Sequence, residues 1–342
     1  MSGRRVDLDA NYKTMLTHVE IHNFRCLKEV SVPLKPLTVL VGANDTGKSA
    51  FLTALQWLTG FYQIRGRDFW RKICPDRISV TGRIGRKEKI EAFLFFPNPI
   101  PVNEDQPYNS VREASTFKNL EAPCALFQLP SQGSPMVSKG QSDTSGPPAL
   151  QGDGGGVPTL LDFLLRREPK SYFEYIDALK LLVPGLDRIE IATPAADLRR
   201  IDLRLEQGFV LNSESASVGV KSIIFFLALS FHPAPPKLVL IEEPENGVHP
   251  KRLKQIVELL RDLTKGRFGR QPIQIILSTH SPFLLDCIDL KTDQVLVFKR
   301  NDDGSRTAEP ADAERLKNFL DEFMLGEVWY NEGEEGLVAR KA

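Results

Sequence analysis

Apolar side chains recur along this chain with two different periods. Near the N-terminus, Leu16-Thr17-His18-Val19-Glu20-Ile21 and Val30-Ser31-Val32 alternate with polar residues, as half-buried strands do. Leu37 to Val41 is a nearly continuous apolar run, the pattern of a strand buried on both faces. Ala50 to Thr59 reads as a helix and Ile90 to Phe96 as another strand. Over Thr159 to Leu182 the spacing turns helical, with Leu161, Leu164, Leu165, Phe173, Ile176 and Leu179 on one stripe. Residues 186–211 read as strands with a hairpin, Arg200 to Leu205 alternating. Gly219 precedes a strongly apolar helix, Val220 to Phe231. Buried-strand runs follow at Lys237 to Ile241, Ile273 to Leu277 and Val295 to Lys299, with an amphipathic helix, Pro250 to Leu263, after the first. Strands alternating with helices in this way predict an α/β fold with a largely parallel sheet.

Composition changes this picture in four places. Residues 128–158 hold seven Gly, five Pro and five Ser, which predicts a mobile loop because so little apolar surface can offset the entropy of ordering it. The 44 basic and 44 acidic side chains cancel, so bulk charge predicts no polyanionic partner. The distribution is uneven: residues 65–89 carry nine Lys/Arg against three Asp/Glu, and residues 309–335 carry nine acidic against two basic side chains. Four dispersed cysteines, Cys26, Cys74, Cys124 and Cys287, argue against a disulfide framework or zinc site and fit a reducing, cytoplasmic setting. No signal peptide is evident. No apolar run approaches the ~20 residues of a membrane span, so no membrane partner is expected.

The chemistry starts where the Leu37–Val41 run meets the Ala50–Thr59 helix. The connecting octapeptide is Gly42-Ala43-Asn44-Asp45-Thr46-Gly47-Lys48-Ser49, the Gly-x-x-x-x-Gly-Lys-Ser pattern in its strand–loop–helix setting. Glycines let successive backbone N–H groups converge, and those donors, with the positive end of the helix, suit phosphate oxygens. The candidate nucleotide-binding residues are therefore Asn44, Asp45, Thr46, Gly47, Lys48, Ser49 and Ala50, with a nucleoside triphosphate as ligand and Mg²⁺ on the Ser49 hydroxyl. Leu238-Val239-Leu240-Ile241-Glu242-Glu243-Pro244-Glu245 ends a buried run in carboxylates. Glu242 fits a metal role and Glu243 the catalytic role of orienting or deprotonating water. Leu277-Ser278-Thr279-His280-Ser281-Pro282 ends another run, where His280 can donate a hydrogen bond to a γ-phosphate.

These three elements, in this order, resemble the ABC-type ATPases of the SMC, RecF and OLD-like group. Asn23-Phe24-Arg25 matches the Asn-Phe-Arg-like opening of that group, Glu242 to Glu245 with His249-Pro250 its acidic strand end, and Ser278 to Pro282 its switch-histidine segment. Residues 16–60 and 210–290 carry the resemblance well, and Gly326 to Tyr330 weakly. The resemblance implies a nucleotide contact from Arg25 and a signature segment at Ser217-Val218-Gly219, with Ser217 and Gly219 facing the γ-phosphate of a second subunit. Val218 stands where the family often has a polar residue, and Glu242 where ABC proteins commonly have Asp. The implied fold is an ABC-type P-loop NTPase head. It has a mostly parallel core sheet, an N-terminal antiparallel β-subdomain and an inserted α-helical lobe. Residues 1–60 and 186–342 would form the ATPase core and 61–185 the lobe.

The implied activity is ATP hydrolysis by a molecular switch that dimerises head-to-head, or forms a higher oligomer, around two Mg-ATP. It would control DNA binding or a separate effector, in DNA repair or anti-phage defence. No sustained heptads lie between Lys48 and Ser217, which disfavours a chromosome-tethering arm. About 60 residues follow His280, too few for another ordinary domain, so a nuclease or other effector is expected as a separate protein. Two other readings are a nucleotide-sensing scaffold with little turnover and a transporter ATPase subunit; the absence of Leu-Ser-Gly-Gly-Gln weighs against the latter. The basic stretch Arg65, Arg67, Arg71 and Lys72 around Phe69 and Trp70 admits two accounts: a nucleic-acid track, or a solvated lobe with its aromatics packed inward.

Overall fold

The computed structural model describes residues 14–70, 77–85, 88–95, 105, 107–108, 111–114, 124–128, 136–140, 146–151, 154–267, 270–320 and 322–338. In chain order the elements begin with β1 (Leu16–Phe24), β2 (Leu27–Pro33), β3 (Leu37–Val41), α1 (Lys48–Thr59), β4 (Arg77–Ile84), β5 (Glu88–Phe95), β6 (Val111–Ala114) and β7 (Cys124–Gln128). Next come β8 (Val137–Lys139), α2 (Val157–Arg167), α3 (Pro169–Leu182), β9 (Leu186–Ala192), β10 (Leu198–Leu205), β11 (Val210–Asn212) and α4 (Val218–Phe231). The chain ends with β12 (Leu238–Glu242), α5 (Pro250–Thr264), β13 (Gln274–Thr279), α6 (Pro282–Leu285), β14 (Gln294–Arg300), β15 (Arg306–Pro310), α7 (Ala313–Phe319) and α8 (Leu325–Leu337).

These elements form two compact units. The first comprises residues 1–126, 237–242 and 274–342, and the second 127–236 and 243–273. The first is built on one sheet in the order β6-β5-β4-β1-β2-β15-β14-β3-β13-β12-β7. Its heart is parallel: β12 pairs with β13, β13 with β3 and β3 with β14. The N-terminal strands pair antiparallel, β2 with β1, β1 with β4, β4 with β5 and β5 with β6. The antiparallel subdomain and the parallel core are therefore one mixed sheet, joined through β15 lying parallel to β2 and antiparallel to β14. The uniformly apolar runs mark the central strands: all five residues of β3 and all six of β13 are buried.

α1 starts at Gly47 and stops at Gly60, both in the left-handed region that glycine adopts without strain. Its Phe51, Leu52, Leu55, Trp57 and Leu58 are all but fully buried. Trp57 stacks on Phe24 of β1 with centroids 5.7 Å apart. Gln274, almost wholly buried, resolves its polarity by accepting from the Leu16 N–H at 2.8 Å and donating to the Leu16 carbonyl at 2.7 Å. This one side chain ties the start of β13 to the start of β1.

In the second unit, β10 pairs antiparallel with β8, β9 and β11. α4 is apolar all round, and only Val220 among its residues is not buried. Tyr175 of α3 packs edge-on against Phe231 and donates to the Ile224 carbonyl at 3.1 Å.

Four expectations change. The 61–185 lobe is not a separate body: β4 to β6 extend the first unit's sheet, because β4 pairs along β1. The second unit is mixed rather than helical, since residues 186–212 fold with it as strands. The 128–158 loop contains β8, ordered by pairing with Leu198 to Arg200 and by hydrogen bonds from Thr159 to Ser138 Oγ and from the Thr159 hydroxyl to the Lys139 carbonyl. Residues 129–135, 141–145 and 152–153 of that loop lie outside the described residues. The Thr159–Leu182 pattern is two helices, parted at Glu168-Pro169 because proline cannot continue a helix begun before it.

Beside β1, Asp68 is fully buried and accepts from Arg25 Nε at 2.7 Å, the Tyr62 hydroxyl at 2.9 Å and the Arg65 N–H at 2.8 Å. Arg25 spends its other nitrogens on Thr53 Oγ1 at 3.0 Å and Tyr62 Oη at 3.2 Å. Removing one partner of a buried pair leaves the other uncompensated. With the Arg25 side chain 30 % exposed, Asp68→Asn is expected to cost about 2 kcal/mol of stability, read as a lower denaturant midpoint with an unchanged slope.

Candidate functional site

Parallel pairing sets the register of the site. Across the first unit's sheet, Glu242 of β12 stands opposite Ser278 of β13, and Ser278 stands opposite Leu40 of β3. Thr279 likewise faces Val41. The strands leading into the phosphate loop, the acidic turn and His280 therefore end together at one edge of the sheet. That is where loops of an open parallel sheet gather to bind ligands.

The phosphate loop leaves β3 at Gly42. A side chain there would have its Cβ 2.6 Å from the Phe298 carbonyl oxygen, and φ is +152°, so only glycine fits. Asp45 takes φ +61° and Gly47 φ +101°. Lys48, 7 % exposed, folds over the loop and donates from Nζ to the carbonyls of Gly42 at 2.6 Å and Ala43 at 2.9 Å. The Thr46 hydroxyl donates to the Ala43 carbonyl at 2.8 Å. Asn44, Asp45 and Ser49 are exposed, while Ala50 is buried beneath the helix start. α1 begins with no side-chain cap and no acidic residue in its first turn. Its positive end is left to an anion, which is the provision a polyphosphate needs.

Glu242 is half-buried at the tip of β12. With Ser49 it offers the oxygen donors that Mg²⁺ accepts alongside substrate phosphates. Among the described residues no group of three His, Cys, Asp or Glu forms a cage of its own. His280 is exposed directly after β13. Its loop is braced from the far end of the chain: a Cβ on Gly326 would meet the Pro282 carbonyl at 2.1 Å, and the Gly326 N–H donates to Asp286 Oδ1 at 2.8 Å. Burial pushes the Asp286 carboxyl above its ordinary pKa. The Gly326 to Tyr330 segment thus has a packing reason.

In the second unit Glu243 opens the turn toward α5 with φ +46°, and Asn246 Nδ2 donates to its Oε2 at 2.8 Å. His249 caps α5 by accepting from the Lys251 N–H at 3.2 Å, with Pro250 at the first helical position. Ser217 caps α4 by accepting from the Val220 N–H at 3.4 Å, and it is exposed. Gly219 lies under Arg252, whose Cβ would sit 3.3 Å from an added Cβ. Val218 packs against Gly247, its Cγ2 3.3 Å from where a Cβ would be. That contact explains an apolar residue in the signature segment. Lys221 is fully buried and donates to the Glu214 carbonyl at 3.3 Å, tying down the turn before Ser217; burial lowers its pKa.

Four non-glycine residues among those described take a positive φ: Asn23, Arg25, Asp45 and Glu243. All belong to motifs read from the sequence, and left-handed backbone at such residues is costly unless the surroundings enforce it. Arg25 itself is engaged with Asp68, Thr53 and Tyr62, and these hydrogen bonds serve the fold. Cys26 lies against Gly47, and burial raises its thiol pKa. Phe69 is 2 % exposed and packs on Tyr108, so its ring offers no stacking face to a base. Arg71 and Lys72 lie outside the described residues.

Sequence reasoning missed Arg306, whose Nε donates to the Asp45 carbonyl at 2.6 Å, and Glu334, whose Oε1 accepts from the Ala43 N–H at 2.8 Å. Both act on the phosphate loop from about 260 to 290 residues away, and no local pattern signals them.

Comparison with known proteins bears on the same regions. A family model described as "AAA ATPase domain" matches residues 15–117, and one described as "AAA domain, putative AbiEii toxin, Type IV TA system" matches residues 140–286. The OLD nuclease of Thermus scotoductus is 25 % identical over 96 % of this chain, which spans 71 % of that relative. The Old nuclease of Escherichia phage P2 is 41 % identical over 69 residues, 20 % of this chain and 11 % of that protein. Among solved structures, an Smc head bound to the C-terminal winged-helix domain of ScpA superposes with a TM-score of 0.59 at 14 % identity, covering 89 % of this chain and 99 % of that one. The Smc head of Pyrococcus furiosus, with an extended coiled coil and bound to a ScpA domain, gives 0.59 at 12 % identity, covering 90 % and 98 %. The structural likeness shows that the chain has the α/β fold of an SMC head, and the sequence matches show that it is similar to AAA ATPase domains and to an OLD nuclease.

Proposed function

We propose that the chain is a Mg-ATP-hydrolysing switch that closes head-to-head on a second copy and controls DNA binding or a separate effector protein. The observation that carries this reading is the register Glu242–Ser278–Leu40, which ends three motif-bearing strands at one sheet edge. At that edge Lys48 and the uncapped start of α1 supply positive charge for phosphates. Mg²⁺, held by Ser49 and Glu242, would neutralise phosphate charge. Glu243, next in the chain to Glu242, is the group to take the proton of attacking water, and His280 the donor to the γ-phosphate. Ser217 and Gly219, at the N-terminal end of buried α4, are the segment offered to the nucleotide of the other subunit.

The relatives bearing the name OLD nuclease support a nuclease acting in concert with the ATPase, and a role in DNA repair or anti-phage defence is part of this proposal. Burial of Phe69 favours an effector protein over base-stacking single-stranded DNA as the controlled partner. Among the described residues no helix is long and apolar enough to cross a membrane, and a cytoplasmic site of action is part of this proposal.

Glu243→Gln is expected to bind ATP, to run as a dimer by light scattering in Mg-ATP, and to release phosphate at least about 100-fold more slowly than wild type, the scale of a lost general base. A monomeric Glu243→Gln protein at saturating Mg-ATP would overturn the head-to-head reading. Wild type that binds and dimerises without releasing phosphate would make the chain a nucleotide-sensing scaffold instead. Chelating Mg²⁺ with EDTA is expected to abolish phosphate release by wild type, and restored Mg²⁺ to recover it; release unaffected by EDTA would remove the metal role of Ser49 and Glu242.

A further inference from the structure

The phosphate loop is gripped from outside by two side chains that no motif announces. Arg306 opens β15, where its N–H donates to the Cys26 carbonyl at 3.0 Å. Its NH1 donates to the Gly304 carbonyl at 2.6 Å, which fixes the side chain so that Nε reaches the Asp45 carbonyl at 2.6 Å. Its Cβ stands 3.3 Å from where a Cβ on Gly47 would be. On the other peptide, Glu334 Oε1 accepts from the Ala43 N–H at 2.8 Å. Glu334 reaches it because α8 breaks at Gly333, with φ +66° and ψ −158°. The next residue, Glu335, is anchored by Lys299 Nζ at 2.9 Å.

Peptide geometry gives these contacts a consequence. In a trans peptide the C=O and the following N–H point in opposite directions, and no described peptide bond is cis. Lys48 holds the Gly42 carbonyl, so the Ala43 N–H faces away from Lys48, and Glu334 is the acceptor waiting there. Arg306 holds the Asp45 carbonyl, so the Thr46 N–H is turned away from β15. Asp45 carries a Cβ yet sits at φ +61°, a conformation that needs outside support, and the Arg306 contact supplies it.

We propose that Arg306 and Glu334 are positioning residues of the nucleotide site: they clamp the two outward-facing groups of the phosphate loop and so hold its remaining N–H donors in the phosphate-binding arrangement. The proposal rests on the reading that residues 42–49 bind Mg-ATP. The clamp also makes the loop answer to α8, because Glu334 keeps its place only while the helix breaks at Gly333. Neither residue touches the reacting atoms.

The test is calorimetric titration of ATP and of ADP, with Mg²⁺, into the full chain, alongside melting temperatures without nucleotide. Arg306→Met keeps the aliphatic stem and removes the donor; Glu334→Ala removes the acceptor. Each is expected to raise Kd for both nucleotides about tenfold, the scale of one charge-assisted hydrogen bond, with the melting temperature unchanged. Glu334→Gln, which retains an acceptor oxygen, is expected within about twofold of wild type, and Arg306→Lys between wild type and Arg306→Met. Wild-type Kd in both Arg306→Met and Glu334→Ala would overturn the clamp, as would affinity lost only in step with melting temperature. Should Arg306→Met fail to fold, the Glu334→Ala and Glu334→Gln pair decides. Lys48→Ala separates the two levels of the argument. Wild type that does not bind ATP, or Lys48→Ala that binds equally well, overturns the reading of the loop itself, and with it the clamp. Normal binding lost in Lys48→Ala but kept in the clamp variants overturns the clamp alone.

Discussion

A phosphate-binding loop works only if its backbone N–H groups face one way while its carbonyls find partners elsewhere. Every other part of the site depends on that constraint. Inside the loop, Lys48 takes the carbonyls of Gly42 and Ala43. Outside it, Arg306 takes the carbonyl of Asp45 and Glu334 the N–H of Ala43. A side chain at Gly42 would meet the Phe298 carbonyl and one at Gly47 would meet Cys26 and Leu27, so both ends of the loop are held to glycine. Partners on both sides of the loop fix which way these peptide groups face, and with them the direction of the neighbouring N–H groups.

The same logic reaches the other two motifs. His280 follows a strand locked in register with β3, and the turn after it is pinned by Gly326 and Asp286. Glu242 ends a strand locked in register with β13. In the second unit, the signature turn is held by buried Lys221 and by Val218 against Gly247, while Glu243 is bent into the left-handed region with Asn246 on its carboxylate. Each chemical group thus sits on short, irregular backbone fastened to a rigid strand or helix, which is how a precise constellation is kept on a mobile chain.

Most of the core was legible in the chain itself. Continuous apolar runs marked β3, β12, β13 and β14 because strands covered on both faces have no polar side to show. The apolar run at 220–231 marked α4 for the same reason. What escaped was pairing over distance. The Arg77–Ile84 strand falls in the basic 65–89 stretch, which was read for its charge, yet it lies against β1 along most of its length. The Gly/Pro/Ser-rich segment hid β8, three residues long, which exists because β10 offers it an edge. Arg25, a nucleotide contact by resemblance, also bonds Asp68, Thr53 and Tyr62, partners up to 43 residues away that no local pattern indicates.

By itself the sequence determined the α/β class and marked, as candidates, the Gly42–Ser49 loop, the acidic end at Glu242 and the turn at His280. Those are local: residue types at fixed spacing on one strand or turn, set by sterics and hydrogen-bonding capacity within a few residues. Only the tertiary structure decided that the antiparallel and parallel strands share one sheet, that residues 243–273 fold with 127–236, and that Arg306, Glu334, Asp286 and Gly326 serve the motifs. The physical reason is that register and side-chain reach between segments some 40 to 290 residues apart depend on how sheets close, and no short-range pattern encodes that closure.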